Sequence, residues 1–331
     1  MTETRVDKGF EELTTPYRRE LLAHCYRMLG STHDAEDLVQ ETYLRAWRSF
    51  DQFEGRSSLR TWLYRIATNA CLTALETRSR RPLPTGLGEP SSDPAGQLVE
   101  RPEVPWLEPV PDALVGVSES DPANVVVSRE SVRLALIAAL QYLPPRQRAV
   151  LVLRDVLRWR AAEVAKAVGT TTTAVNSILQ RAHAQLQEVR PTEDTVTEPT
   201  SPEQRDLLDR YVRALEDKDV TKIVELFTAD AVWEMPPFTG WYQGARDIAT
   251  LIDTQCPAGP QELRMLRTNA NGQPAYGVYM VGDDGDFHPF QLQVLALGDT
   301  AISHVASFFD LSLFAVFDLP VRLPSDQPLW A

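Results

Sequence analysis

Residues 82–128, which begin "PLPTGLGEPSSDPAGQLVERPEVPWLEPVPDALVGVSESDP", hold nine of the chain's 24 prolines. Neither a continuous helix nor an interior strand survives at that density, because each proline removes an amide donor and fixes φ. The stretch reads as a linker, and a shorter one of similar make-up occupies 191–202, "PTEDTVTEPTSP". Three folded units are therefore expected, at 10–81, 129–190 and 203–331, and 331 residues are enough for each to bury a core.

A net charge of −13 argues against nucleic acid only until it is divided along the chain. Residues 10–81 are nearly neutral at +1, the first linker carries −7, 129–190 carry +6, and 203–331 carry −10. Acidity belongs to the linkers and the last unit, and the second unit is basic. Cys25, Cys71 and Cys256 have neither metal spacing nor a disulfide framework, so reduced, mostly buried thiols and no metal are expected. No run approaches the ~18–20 apolar residues of a membrane span. The charged start "MTETRVDKGFEEL" lacks the core of a signal peptide, so a cytoplasmic location is expected.

The first unit is helical by pattern. "EELTTPYRRELLAHCYRML" stops at Gly30, and "HDAEDLVQETYLRAW" follows, with Ser31, Thr32 or Asp34 as its cap. That second helix carries two stripes. Val39, Tyr43, Ala46 and Phe50, with Leu38 and Trp47 beside them, suit a core, whereas Asp34, Asp37 and Glu41 line another face. A solvated acidic face with a Glu41–Arg45 pair would explain the second stripe, and so would a partner. A third helix, "LRTWLYRIATNACLTALETRSRR", ends in basic groups.

In the second unit a helix through Val150–Val156, a short helix Ala161–Val168, a turn at Gly169 and capping threonines at 170–173 spell a helix-turn-helix. Its last helix, running to about Leu186, turns Val175, Ile178, Leu179, Ala182 and Leu186 inward and Thr173, Asn176, Ser177, Gln180 and Arg181 outward. Asn, Gln and Arg read base edges and hydroxyls hold phosphates, so DNA is the expected ligand, with a solvated face on a helical bundle as the plain alternative. The third unit gives helices at "RDLLDRYVRALED" and "VTKIVELF", then strands at "AVWEMP", "LRMLRTNA", "AYGVYMV", "HPFQLQVLALG" and "AISHVASFF". It reads as α+β with a curved antiparallel sheet.

With "DAEDLVQETYLRAW" and "LRTWLYRIATNA" ahead of a helix-turn-helix, the chain resembles the extracytoplasmic-function class of bacterial sigma factors. The resemblance implies two all-α sigma domains. Domain 2 (10–81) would bind core RNA polymerase at its β′ clamp helices and recognise the minus-ten element, and domain 4 (129–190) would meet the β flap and the minus-35 element. Residue by residue it implies polymerase contacts at Asp34, Asp37, Glu41 and Arg45. Minus-ten contacts would fall at Arg56, Ser57, Ser58, Arg60, Trp62, Tyr64, Arg65 and Asn69, with core packing a further role for Trp62 and Tyr64. Minus-35 contacts would fall at Thr173, Asn176, Ser177, Gln180, Arg181 and His183. Family members often carry basic groups where this chain has Asn176, so the recognised sequence does not transfer. The acidic linker is either a plain tether or an imitation of nucleic acid in a polymerase channel, with Trp106 and Leu107 as an apolar anchor.

Residues 203–331 resemble the cone-shaped α+β fold of the SnoaL-like and nuclear-transport-factor-2-like superfamily, on "LLDRYVRALEDKDVTKIVELFTADAVWEMPPFTGWYQGARDIATLI". That fold encloses a pocket, and Trp233, Met235, Trp241, Tyr279, His288, Phe290, His304 and Asp310 are the candidate lining, open to a small apolar ligand. His304 is expected to point inward with Ile302 and Phe308. Without a paired-carboxylate or metal constellation the unit reads as regulatory and not catalytic, needing no cofactor. The competing reading is a SnoaL-like enzyme or ligand sensor with a DNA-binding appendage, for which the "DAEDLVQETYLRAW" helix has no use.

Overall fold

The computed structural model describes residues 3–55, 57–116, 130–189, 201–298 and 300–325, and Arg56 is the one expected DNA contact outside that range. The chain divides into two compact units, one joining 1–81 to 107–191 and the other joining 82–106 to 192–331. The proline-rich linker is thus shared between the units, a division its composition did not suggest.

In the first unit α1 (Glu3–Thr14), α2 (Arg18–Leu29), α3 (Thr32–Arg48) and α4 (Leu59–Leu75) form a helical body around α2. Every residue from Leu21 to Leu29 is buried, because α3, α4, the turn Asp112–Val115 and the helix Pro145–Leu151 all pack on α2. Gly30 ends that helix at φ +69°, and the Ser31 hydroxyl caps α3 by accepting from the Asp34 amide at 3.1 Å. The α4 helix stops short of the expected basic tail. Pro82 disfavours helix just ahead of it, and Arg78 and Arg81 instead turn to the Asp34 carboxylate, each at 2.6 Å.

Linker residues 107–116 complete this unit. Leu107 and Val110 are fully buried, and the Glu108 carboxylate accepts from the Ser31 hydroxyl at 2.8 Å, the Thr32 amide at 3.0 Å and His33 Nδ1 at 3.0 Å. An anion therefore sits on the N-terminus of α3, where the helix dipole and unpaired amides favour it. The helices Leu134–Leu140 and Pro145–Leu151 follow, the latter running into a π-turn at Val152–Val156. The helix-turn-helix stands where the pattern put it: Ala161–Val168, Gly169 at φ +66°, then Thr172–Val189, with the Thr171 hydroxyl accepting from the Ala174 amide at 3.2 Å.

In the second unit the helices Pro202–Glu216, Val220–Leu226 and Ala245–Gln255 pack with a six-stranded sheet. Its strands β1 (Phe227–Glu234), β2 (Trp241–Gln243), β3 (Leu263–Ala270), β4 (Gln273–Val281), β5 (Phe287–Leu297) and β6 (Ile302–Phe308) lie in the order β2-β1-β6-β5-β4-β3. The sheet is mixed and not antiparallel throughout, because the first strand pairs in parallel with the last. Linker residues 82–106 lie against the β1–β2 end: Thr239 N–H donates to Val99 O at 2.9 Å, Arg101 N–H to Pro237 O at 2.9 Å, and Ser91 N–H to Trp241 O at 2.7 Å.

One buried group makes the first unit pH-sensitive. His24 Nε2 lies 2.9 Å from the Thr68 hydroxyl, whose own proton goes to Tyr64 O at 2.7 Å, so Nε2 carries the ring proton and Nδ1 is bare. Burial, then the charges of Arg27 and Arg60, lower its pKa from 6.5 to about 3. Between those values the unfolded chain binds a proton that the native chain refuses, so stability falls as pH drops from 6.5 towards 3. Urea unfolding should show the wild type losing about 1 kcal/mol more than His24→Gln between pH 6 and pH 5. Parallel losses in the two proteins would refute the buried neutral imidazole.

Candidate nucleic-acid and partner interfaces

The α3 helix separates its two stripes as the spacing requires. Val39, Thr42 and Ala46 are buried, and Tyr43 is half-buried with its hydroxyl donating to Thr14 O at 3.2 Å. On the outer side Asp37 and Arg45 are exposed, and Glu41 accepts from Arg45 Nε at 2.7 Å. Asp34 is drawn away from this face by its ion pairs with Arg78 and Arg81. Sequence reasoning missed the apolar members of the outer face. Leu44 is 49% exposed and Trp47 46%, so Trp47 belongs with the charged stripe and not with the core one. The i, i+3 spacing of these two side chains, which begins one turn after Glu41 and two turns after Asp37, was the available signal.

At the start of α4, Ser57 and Ser58 are exposed, and the Ser58 hydroxyl caps the helix by accepting from the Thr61 amide at 3.1 Å. Arg65 and Asn69 are exposed one turn apart. The two aromatics pack in the core, the further role expected for them. Trp62 is 8% exposed and packs on Phe53, with ring centroids 4.9 Å apart, in a cluster that includes Phe50 and Phe10. Tyr64 has no exposed surface, its hydroxyl reaches the Glu20 carbonyl at 3.3 Å, and its ring meets Trp159 at 5.8 Å. Arg60 is half-buried, paired to Glu20 at 2.7 Å with its guanidinium 4.8 Å over the Tyr64 ring.

On the helix Thr172–Val189, Val175, Ala182 and Leu186 are buried, Ile178 and Leu179 half-buried, and Thr173, Asn176, Ser177, Gln180, Arg181 and His183 exposed. His183 differs from the rest, since its Nε2 lies 2.6 Å from the Asp155 carboxylate.

The second unit contains an apolar cavity of about 300 Å³ lined by Trp233, Met235 and Phe290, as expected. The other five candidates lie elsewhere, each for a visible reason. Trp241 donates its indole N–H to Gly88 O of the linker at 2.8 Å. His304 faces away from the cavity, 2.8 Å from the fully buried Glu234, whose other oxygen accepts from the linker amide of Thr85 at 3.0 Å. Tyr279 packs on Phe314 and donates to Pro320 O at 2.8 Å. His288 pairs with Asp284 at 2.9 Å, and Asp310 accepts from the Ser312 amide and hydroxyl at 2.9 and 2.6 Å. Trp241 was thus mistaken for a pocket residue because its partner comes from the linker, and His304 because Glu234, itself bonded to the linker, holds it on the other face.

A helical body with a charged and apolar outer helix, joined to a capped helix-turn-helix, defines a promoter-recognition subunit of the sigma type. Family models agree: Sigma-70 region 2 matches residues 13–81, Sigma-70 region 4 matches 133–186, and the SnoaL-like domain matches 203–270. The chain belongs to the extracytoplasmic-function RNA polymerase sigma factors. It is 63% identical over 317 residues to the ECF RNA polymerase sigma factor SigG of Mycobacterium tuberculosis strain H37Rv, covering 95% of this chain and 85% of the relative. SigJ of the same strain is 29% identical over 283 residues, 81% of each chain. The crystal structure of M. tuberculosis SigJ shares the fold, with a TM-score of 0.60 at 22% identity over 95% of this chain and 99% of that one.

Proposed function

We propose that this sigma factor binds core RNA polymerase through the outer face of α3 and reads promoter DNA through the N-terminus of α4 and the helix Thr172–Val189. Its place of action is the cytoplasm; among the described residues no helix is long and apolar enough to cross a membrane. The observation that carries the polymerase contact is the α3 face itself, where Leu44 and Trp47 stand exposed among Asp37, Glu41 and Arg45. Exposed Trp and Leu ringed by charges is the make-up of an interface centre with a polar rim. Asp34 supports that face from behind, through its pairs with Arg78 and Arg81. Ser57, Ser58, Arg65 and Asn69 are the exposed minus-ten candidates, with Arg56 outside the described residues. Thr173, Asn176, Ser177, Gln180 and Arg181 are the minus-35 candidates, and His183, held by Asp155, positions the helix.

The boundaries of the sigma domains fall at 10–81 and 129–190, and the SnoaL-like unit at 203–331 regulates the factor without catalysing a reaction. The covalent linker supplies the route for that regulation. Residues 82–106 are hydrogen-bonded within the second unit, and Glu108, two residues further on, sits on the N-terminus of α3 in the first.

Run-off transcription with purified core enzyme tests the assignment. Glu41→Lys combined with Trp47→Ala should weaken core binding at least tenfold while leaving the thermal melt unchanged, and truncation near residue 200 should change transcript yield. Unaltered affinity would remove α3 as the polymerase contact, and equal yields would remove the regulatory role. For the DNA face, Gln180→Ala in the holoenzyme should cost roughly 1–3 kcal/mol on a cognate promoter and far less on one with a scrambled minus-35 element. Equal losses on both promoters would show that Gln180 reads no base.

A further inference from the structure

Arg27 is a buried cation without an anion. It is 6% exposed, and among the described residues it donates only to Ser131 O at 3.0 Å and to the Ser131 hydroxyl at 2.7 Å. Burial lowers its pKa from 12.5 to about 10, so the charge persists near neutrality. Buried charges are ordinarily paired, because neutral oxygens repay only part of the lost hydration. An anion that the side chains around Arg27 do not supply would repay the rest.

The space for one is present. Arg27 lines a pocket of about 350 Å³ within the first unit. Along α2 the pocket follows one stripe, Arg19, Ala23 and Arg27, at four-residue spacing, so its two arginines stem from positions about 12 Å apart on the helix axis. Arg19 is exposed and has no hydrogen bond or ion pair among the described residues. The other charges in the lining cancel, since Glu20 pairs with Arg60 at 2.7 Å and accepts from the Tyr64 hydroxyl at 3.3 Å. Two positive charges are left for a ligand.

A guanidinium offers paired N–H donors that match two oxygens of one phosphate, so two guanidiniums on one stripe suit a diphosphate. Ala23, Val156 and Leu157 are apolar walls on which an organic body can pack. Arg19 and Arg27 belong to residues 10–81, whereas Ser131, Val156 and Leu157 belong to 129–190. A molecule touching both sets is bound only while the two parts are packed, and by linkage it favours that state.

We propose that this pocket binds a small organic diphosphate through Arg19 and Arg27, and that the bound molecule holds residues 10–81 against residues 129–190. Neither arginine is among the proposed polymerase or DNA contacts, so the site stands or falls apart from them.

Calorimetric titration of the full chain with uridine diphosphate at constant ionic strength tests the site, with uridine monophosphate and pyrophosphate as comparisons. Saturable one-to-one binding of the diphosphate is expected, at least as tight as pyrophosphate and about tenfold tighter than the monophosphate. Arg19→Gln and Arg27→Gln should each weaken it about tenfold. Arg19 makes no polar contact within the fold, so its variant keeps the wild-type melting temperature and decides the matter even where Arg27→Gln fails to fold. Absence of saturable binding at millimolar concentration, or binding indifferent to Arg19→Gln, would overturn the site, and tighter binding of pyrophosphate would overturn the organic body. Amide exchange at Leu157 and Trp159, whose N–H groups donate to Val152 O and Leu153 O at 3.0 Å each, reads the bridging. The diphosphate should slow both several-fold, and unchanged rates in the saturated protein would overturn that half of the proposal.

Discussion

A buried guanidinium joins residues 10–81 to residues 129–190 within the first unit. Arg148, on the helix Pro145–Leu151, donates to Met28 O of α2, to Gln141 Oε1 at 2.8 Å and to the carbonyls of Gln141 and Leu143, each at 3.2 Å. Burial lowers its pKa from 12.5 to about 10, so it stays charged near neutrality. Met28 O is available because α2 ends at Gly30 and its last carbonyls have no helical partner. Gly30 is required twice over, for its φ of +69° and because the Gln141 amide lies about 3.0 Å from where a Cβ would stand. The stop signal of one helix thus becomes the docking point of another.

All of Arg148's partners are neutral oxygens, and the same holds for Arg27, which donates to Ser131 O at 3.0 Å and to its hydroxyl at 2.7 Å. Water can replace neutral acceptors around an Arg at small cost, whereas a carboxylate partner would be stranded on separation. On the proposed reading of the two promoter elements, this contact has to be released. The minus-ten and minus-35 elements lie about 25 base pairs apart, ~85 Å of duplex at ~3.4 Å per pair. A compact unit of this length is about 40 Å across. Residues 1–81 and 107–191 packed as one unit cannot reach both elements, so the proposed promoter contacts require the helix Thr172–Val189 to part from α4.

Local chemistry was legible in the sequence. The Gly30 and Gly169 stops, a cap within Ser31–Asp34, the helix Ala161–Val168 and the strand Leu263–Ala270 all follow from periodicity and capping, which depend on neighbours within a turn or a hairpin. What escaped depends on residues far apart in the chain. The parallel pairing of β1 with β6 has no local signature, and β2 is only three residues long. Core packing was expected of Tyr64, but its distant neighbours Trp159, Glu20 and His24 were not. Trp241 and His304 carry the right chemistry for a pocket, yet a proline-rich segment more than 140 residues earlier supplies Gly88 and, through Glu234, Thr85. Proline density correctly excluded regular structure there; it did not exclude ordered backbone held by side chains of the sheet.

Release of the Arg148 contact is the step on which this account turns, and a distance measurement tests it most directly. Spin labels on Gln52→Cys and Gln187→Cys, in a chain carrying Cys256→Ser, report the separation of the two promoter-reading parts, since Cys25 and Cys71 are buried. Pulsed electron paramagnetic resonance should give one short distance in the free protein and a distance beyond about 60 Å in the complex with core polymerase and promoter DNA, scaled to the ~85 Å promoter span. The free-protein distance persisting unchanged in a transcribing complex would contradict it.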